Sequence, residues 1–182
     1  ILGNNSLADY VTNPIINVTT ILLIILSGLG FTVWFDVIGT SRRVIRGEVP
    51  TRWWFTRLRL QSKLALLMTG TLLLAGTLFV LFAENGNPET IGGLNPGQKL
   101  MASLFQSVTT RTAGFFTVPQ GALHAESKLF CAILMFIGGS PGGTAGGVKT
   151  TTFVMLFLAC LTFVRGGNDT ECMGKKITVA NF

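Results

Sequence analysis

KLFCAILMFIGGSPGGTAGGVKTTTFVMLFLACLTFV, residues Lys128–Val164, is one apolar segment broken at its centre by glycines and a proline. A bilayer core needs only about 20 helical residues to cross, so the segment is too long for one straight span. The run Gly138-Gly139-Ser140-Pro141-Gly142-Gly143-Thr144-Ala145-Gly146-Gly147 is too rich in Gly, and too marked by Pro, to stay helical. Non-helical backbone at membrane depth is tolerated only where protein buries it or water reaches it. A span that unwinds halfway therefore points to a conduction or transport path rather than an inert anchor.

The composition agrees. The chain has 182 residues, of which 48% are hydrophobic and 12% charged, and its mean hydropathy is +0.56. Soluble domains carry about 25% charged residues, so this composition belongs to the membrane class. The 22 glycines suit close helix packing and unwound segments. Cys131, Cys160 and Cys172 show no metal-ligand or disulfide spacing and read as buried free thiols. The chain opens at Ile1-Leu2-Gly3-Asn4-Asn5 without an initiator Met or a signal peptide, and reads as an internal piece of a longer polypeptide.

Outward from the glycine break, Ile15–Ile38 reads as one transmembrane helix, with Asn13 as cap and Pro14 in its first turn. Ser27-Gly28-Leu29-Gly30 would let another helix approach closely. Residues 1–40 thus form a lead-in and a closing helix. Residues 41–63 form a basic loop with Arg42, Arg43, Arg46, Arg52, Arg57, Arg59 and Lys63 against Glu48. Basic residues among Trp53 and Trp54 could be a nucleic-acid patch, but cytoplasmic loops are enriched in Lys and Arg and Trp favours the membrane interface. The loop is assigned to the cytoplasmic side; membrane lipid, and no nucleic acid, is expected among the partners of the chain.

Leu64–Ala83 is the second span, and Glu84–Glu89 reads as an exterior, turn-rich loop. In Gly97–Thr110, Leu100, Leu104 and Val108 recur every four residues, predicting a helix of about 20 Å. That is too short to cross. It is either a re-entrant pore helix feeding an extended segment or an amphipathic helix on the membrane surface. Residues 64–165 then form a helix, short helix, broken helix unit, and 166–182 a cytoplasmic tail or linker.

The expected fold is all-α and transmembrane: a helix–pore loop–helix repeat of cation-channel-like architecture with a broken second helix, its fourfold pseudo-symmetry being what a family resemblance in the same residues implies. Its physics is dehydration, because a potassium ion leaves water only where backbone carbonyls replace its hydration shell. Thr110, Arg111, Thr112, Ala113 and Gly114 fit that need, with small side chains and a glycine.

At these residues a resemblance is close. Phe105-Gln106-Ser107-Val108-Thr109-Thr110-Arg111-Thr112-Ala113-Gly114-Phe115 resembles the third pore loop of the Trk/Ktr/HKT potassium-transporter superfamily, in its bacterial KtrB-like branch. Met135–Thr151 resembles the intramembrane gating loop of the same repeat, and Gly3-Asn4-Asn5 the region after the second filter. The resemblance implies potassium uptake, with K+ held by the backbone of Thr110, Thr112, Ala113 and Gly114. It implies a mobile barrier over Gly138, Gly139, Ser140, Pro141, Gly142, Gly143, Thr144, Ala145, Gly146 and Gly147, followed by Lys149. It implies the remaining repeats of a parent polypeptide, a homodimer, a cytoplasmic nucleotide-binding regulatory ring, and multi-pass residence in the bacterial inner (plasma) membrane. No cofactor is expected beyond the transported K+, with a possible Na+ dependence, and no enzyme chemistry. The basic loop Arg42–Arg59 is a candidate docking surface for the ring.

Other readings have their own residues. Gly139, Gly143 and Gly147 also have the spacing of a fixed kink for tight packing. Gly142–Thr150 resembles a phosphate loop, but Val148 intrudes before Lys149 and the flanks are membrane segments. A secondary transporter with discontinuous helices shares the broken spans without needing the short helix. Arg111 is expected to point away from an ion path and donate to groups behind it, the other possibility being a solvated vestibule arginine. Lys149 is expected to hold the glycine loop by bonding its carbonyls or an acid. His124 reads as a surface histidine.

Overall fold

The structure, a computed structural model, describes residues 6–164 together with 171–172 and 175–176. Gly3-Asn4-Asn5 and most of the 166–182 tail lie outside the described residues. Seven α-helices run in the order α1 Pro14–Gly28, α2 Phe31–Ile45, α3 Trp54–Arg57, α4 Leu60–Ala83, α5 Pro96–Thr109, α6 Ala125–Phe136 and α7 Thr150–Val164. Short 3₁₀ turns lie at Ala8–Tyr10, Thr51–Trp53 and Gln120–Ala122. A two-residue antiparallel pair, Glu171–Cys172 with Lys175–Lys176, closes the described chain.

The start of α1 follows from its sequence. Asn13 Oδ1 accepts from the Ile15 and Ile16 amides at 3.1 and 3.3 Å, and Pro14 occupies the first turn, where no amide is needed. Asn17 is buried because its Nδ2 donates to the Tyr10, Val11 and Asn13 carbonyls.

The expected single helix over Ile15–Ile38 is not found. The chain bends by 97° between α1 and α2. At the bend Gly30 has φ +78°, a left-handed conformation that a side chain rarely adopts. A Cβ there would also lie 2.5 Å from the Pro141 carbonyl oxygen. The helix breaks because another backbone passes against it, which a run of apolar letters does not reveal. The basic segment is also more ordered than a loop: α2 carries Arg42 and Arg43 in its last turn, where cations complement the helix dipole.

Helix α4 begins four positions before the expected Leu64 and is the one described helix that is by itself long and apolar enough to cross a membrane. Helix α5 starts at a capping box of Asn95 and Gln98, with Pro96 in its first turn. Its second half is buried within the protein. Phe105 and Val108 are fully buried and pack with Ile21 of α1 and Leu73 of α4. Ser107 Oγ donates to the Leu73 carbonyl at 3.0 Å, and a Cβ on Gly76 would overlap that same hydroxyl. Helix α6 closes on α4 through stacked Phe79 and Phe130 rings, 4.0 Å apart.

The turn-rich segment after α4 is tied down by Glu84, which is 0% exposed. Its carboxylate accepts from Asn87 Nδ2 at 2.7 Å, Thr90 Oγ1 at 2.9 Å and the His124 amide at 2.9 Å, tying the end of α4 to the start of α6. Burial acts to raise its pKa, but the adjacent Ser127 hydroxyl and these donors outweigh it and hold the carboxyl below its ordinary value. A carboxyl held low contributes stability above the unfolded carboxylate range and loses it as pH falls through the folded pKa. Glu84→Gln is therefore expected to destabilise the fold by roughly 2 kcal/mol near neutral pH. Denaturation of the variant and the parent should converge as the medium is acidified.

The cysteines separate. Cys131 is buried in α6, as expected, whereas Cys160 on α7 is exposed along with Leu156, Phe157 and Leu161. Burial of Cys160 depended on a neighbour that these residues do not supply.

Candidate functional site

The C-terminal end of α5 delivers the chain into a tight turn rather than the expected extended segment. Thr110, Arg111 and Ala113 donate backbone N–H groups to the carbonyls of Gln106, Val108 and Thr109. Thr112 then has φ +67° and Gly114 φ +80°, with Ala113 between them outside the left-handed region. Among the described residues, the carbonyl oxygens of Thr110, Thr112, Ala113 and Gly114 accept no hydrogen bond. The neighbouring oxygens do: Arg111 O accepts from Thr112 Oγ1, and Phe115 O from the Thr109 hydroxyl.

Arg111 faces away from this row. It is buried, and Nη1 donates to Thr69 Oγ1 and Nη2 to the Thr69 carbonyl, each at 3.0 Å. Its position just beyond the C-terminus of α5 suits a cation. The guanidinium thus pins the turn to the middle of α4, and a solvated vestibule position is excluded. Beside the turn lies a cleft of about 490 Å³ lined by Gln106, Thr109, Thr110, Thr112, Gly114 and Phe115, with Cys131 and Met135 of α6 on its far wall. Gln106 and Gln120 exchange amide hydrogen bonds at 2.8 and 3.0 Å across the returning strand.

The glycine run separates α6 from α7. Its two ends pair in parallel at Ile137 and Val148: the Gly138 amide donates to the Val148 carbonyl at 2.9 Å, and the Val148 amide to the Phe136 carbonyl at 3.0 Å. The loop so closed sits in the α1–α2 bend. The amides of Ser140 and Thr144 donate to the carbonyls of Gly28 and Ser27, and the Phe31 amide and Thr32 hydroxyl to those of Gly142 and Pro141. Each side uses groups that helix ends leave without partners, α1 its last carbonyls and α2 its first donors. Inside the loop, Lys149 Nζ donates to the Ala145 carbonyl at 2.7 Å, so the lysine folds back onto the glycine run. Ser140, fully buried, lies 3.4 Å from the Thr150 hydroxyl.

One contact joins the two segments. Thr112 Oγ1 accepts from the Gly146 amide at 2.7 Å. The sequence reading named both residues but not the bond between them. It also missed Thr69 and the Ser27–Gly30 bend, whose parts lie far apart in the chain. His124 is exposed, and its role is its amide on Glu84. Among the described residues no His, Cys, Asp and Glu group has metal-site geometry.

The sequence profile of the family described as TrkH, cation transport protein, matches residues 2–180. The chain is 37% identical over 178 residues to the Ktr system potassium uptake protein B of Bacillus subtilis, covering 97% of this chain and 37% of that one. It is 37% identical over 164 residues to the Vibrio alginolyticus protein of the same name, covering 90% and 34%. It is 33% identical over 180 residues to the potassium/sodium uptake protein NtpJ of Enterococcus hirae, covering 99% and 37%. The crystal structure of the potassium transporter TrkH from Vibrio parahaemolyticus superposes with a TM-score of 0.69 at 21% identity, over 96% of this chain and 36% of that one. The chain spans just over a third of the length of these relatives.

Proposed function

The chain belongs to the TrkH family of cation transport proteins, and on that premise we propose that it forms part of the potassium-translocating pathway of a Ktr-type uptake system. The relatives are named as potassium uptake proteins rather than enzymes, and the helices suit residence in a membrane. In this reading α4, α5 and α6–α7 are one helix–pore loop–helix repeat with an interrupted second helix. Helices α1 and α2 are the interrupted closing helix of the repeat before it. The Thr110–Gly114 turn is this repeat's share of a selectivity filter, and Gly138–Gly147 with Lys149 is a gate beneath it.

The observation that carries the proposal is the set of unengaged carbonyls at Thr110, Thr112, Ala113 and Gly114. Oxygens without donors are what a dehydrating cation requires. Arg111 supports the same reading because it anchors the turn from behind, keeping its charge off the ion's side. A secondary transporter built on the two broken helices would not need the buried α5 or its carbonyl row. Flux measured in vesicles on the full assembly separates the two. A filter pore passes K+ without saturating at low concentration and prefers it to Na+, whereas saturable flux with no dependence on this turn refutes the pore.

Partners follow the same reading: the parent's remaining repeats, a second copy, and a cytoplasmic ring, for which the basic segment Arg42–Arg59 is the candidate docking surface.

The Thr112–Gly146 bond makes gate and filter one unit. Thr112→Val keeps the β-branched shape but removes the acceptor. Its basal K+ flux is expected to rise about fivefold, the effect of roughly 1 kcal/mol on a closed–open balance. Thr112→Ser should restore the parent rate. Equal basal flux in parent and Val variant would show that the bond carries no coupling.

A further inference from the structure

We propose that a cleft between α2 and the start of α4 binds the phosphodiester headgroup of an anionic phospholipid. The cleft holds about 450 Å³, and Arg43, Arg57 and Arg59 converge on it with Asp36, Thr40 and Phe35. One oxygen of Asp36, Oδ2, accepts from the Arg59 amide at 2.8 Å within the cleft. Among the described residues no side-chain hydrogen bond or ion pair engages the three guanidinium groups. Three arginines against one carboxylate leave a site with excess positive charge, and the guanidinium fork matches phosphate oxygens in pairs.

The depth of the cleft selects a lipid over a soluble anion. The Asp36–Arg59 bond fixes it at the residue before Leu60, where the 24-residue apolar helix begins. On the membrane reading of that helix, this is headgroup level. Phe35 on the cleft wall is 74% exposed, and Phe31, one turn earlier on α2 with its ring 6.4 Å away, is 59% exposed, an apolar surface for acyl chains beside the arginines. Trp53 and Phe55, in the segment between α2 and α4, are also exposed, as interfacial aromatics are. A free phosphate would use the arginines and leave the aromatic row idle. The inference rests on the membrane placement of α4 and not on the potassium filter.

The test uses the full assembly in neutral detergent, titrated with phosphatidylglycerol and separately with phosphatidylcholine, with bound lipid counted by native mass spectrometry. Phosphatidylglycerol is expected to bind at least about tenfold more tightly. Arg43→Gln, Arg57→Gln and Arg59→Gln combined should erase the preference. Arg42→Gln, Arg46→Gln and Arg52→Gln combined, which remove the same charge elsewhere, should keep it. Arg57→Lys, a milder change that retains charge and fold, should lower the preference about threefold. Equal binding of the two lipids, equal loss in both triple variants, or displacement of the lipid by millimolar inorganic phosphate would each overturn the proposal. So would loss of ring binding in the cleft variants with lipid preference unchanged, which would mark a protein-docking surface. Binding is read without ion flux, so failure here leaves the potassium reading standing, and a failed flux assay leaves this one standing.

Discussion

Arg111→Gln is expected to cost the assembled transporter at least about tenfold in its discrimination of K+ from Na+. The guanidinium spans two acceptors on one residue, the hydroxyl and carbonyl of Thr69, from a buried position. Hydrogen bonds from a charged donor are worth about 1.5–3 kcal/mol each. A glutamine amide is shorter and reaches at most one of them. The turn it holds has Thr112 at φ +67°, and a β-branched residue stays there only when its surroundings over-determine it. Once released from α4, the turn relaxes toward ordinary backbone angles, and its carbonyls lose their arrangement. Arg111→Lys should rescue little, because a single ammonium cannot reproduce the fork. Selectivity and uptake unchanged in Arg111→Gln would remove the arginine from the account.

Gly138→Ala should have the second-largest effect, in the opposite sense. A Cβ on Gly138 would overlap the Gly146 carbonyl oxygen, and backbone atoms hold the neighbouring positions too. No flexible side chain can yield there. The loop can keep its paired ends or its seat in the α1–α2 bend, but not both. Overpacking costs typically 1–3 kcal/mol. On a closed–open balance that is about 5–150-fold. Basal K+ flux should rise within that range, measured on vesicles without activating partners. Gly28→Ala is the matched control: a Cβ there meets nothing within 4 Å, although the Gly28 carbonyl accepts the Ser140 amide. It should leave flux and stability near the parent values. Equal behaviour of the two variants would mean that the seated loop is not the barrier.

What could be read from the letters was whatever local physics decides. Asn13-Pro14 begins a helix because side-chain capping and a missing amide act within one turn. The limits of α5 were legible within a residue or two for the same reason, and the glycine run broke the last span where its composition said it would. The bend at Gly30 was not legible. Its cause is the Pro141 and Gly142 backbone, distant in sequence, while the local run stays apolar. The burial of Glu84 was not legible. Its partners, Asn87, Thr90 and His124, come together only once the end of α4 meets the start of α6. Arg111 could be foreseen as turned inward, but not its acceptor, since nothing in the sequence marks Thr69 among the other polar residues of α4.

The central claim is that the carbonyls of Thr110, Thr112, Ala113 and Gly114 take the place of water around a potassium ion. Anomalous scattering from Rb+ or Tl+ in crystals of the chain assembled with its remaining repeats tests it most directly. The account predicts density within coordination distance of those oxygens, lost on exchange into Na+. Density elsewhere along the pore with none at this turn, or ions there held by side chains instead of the backbone, would contradict it.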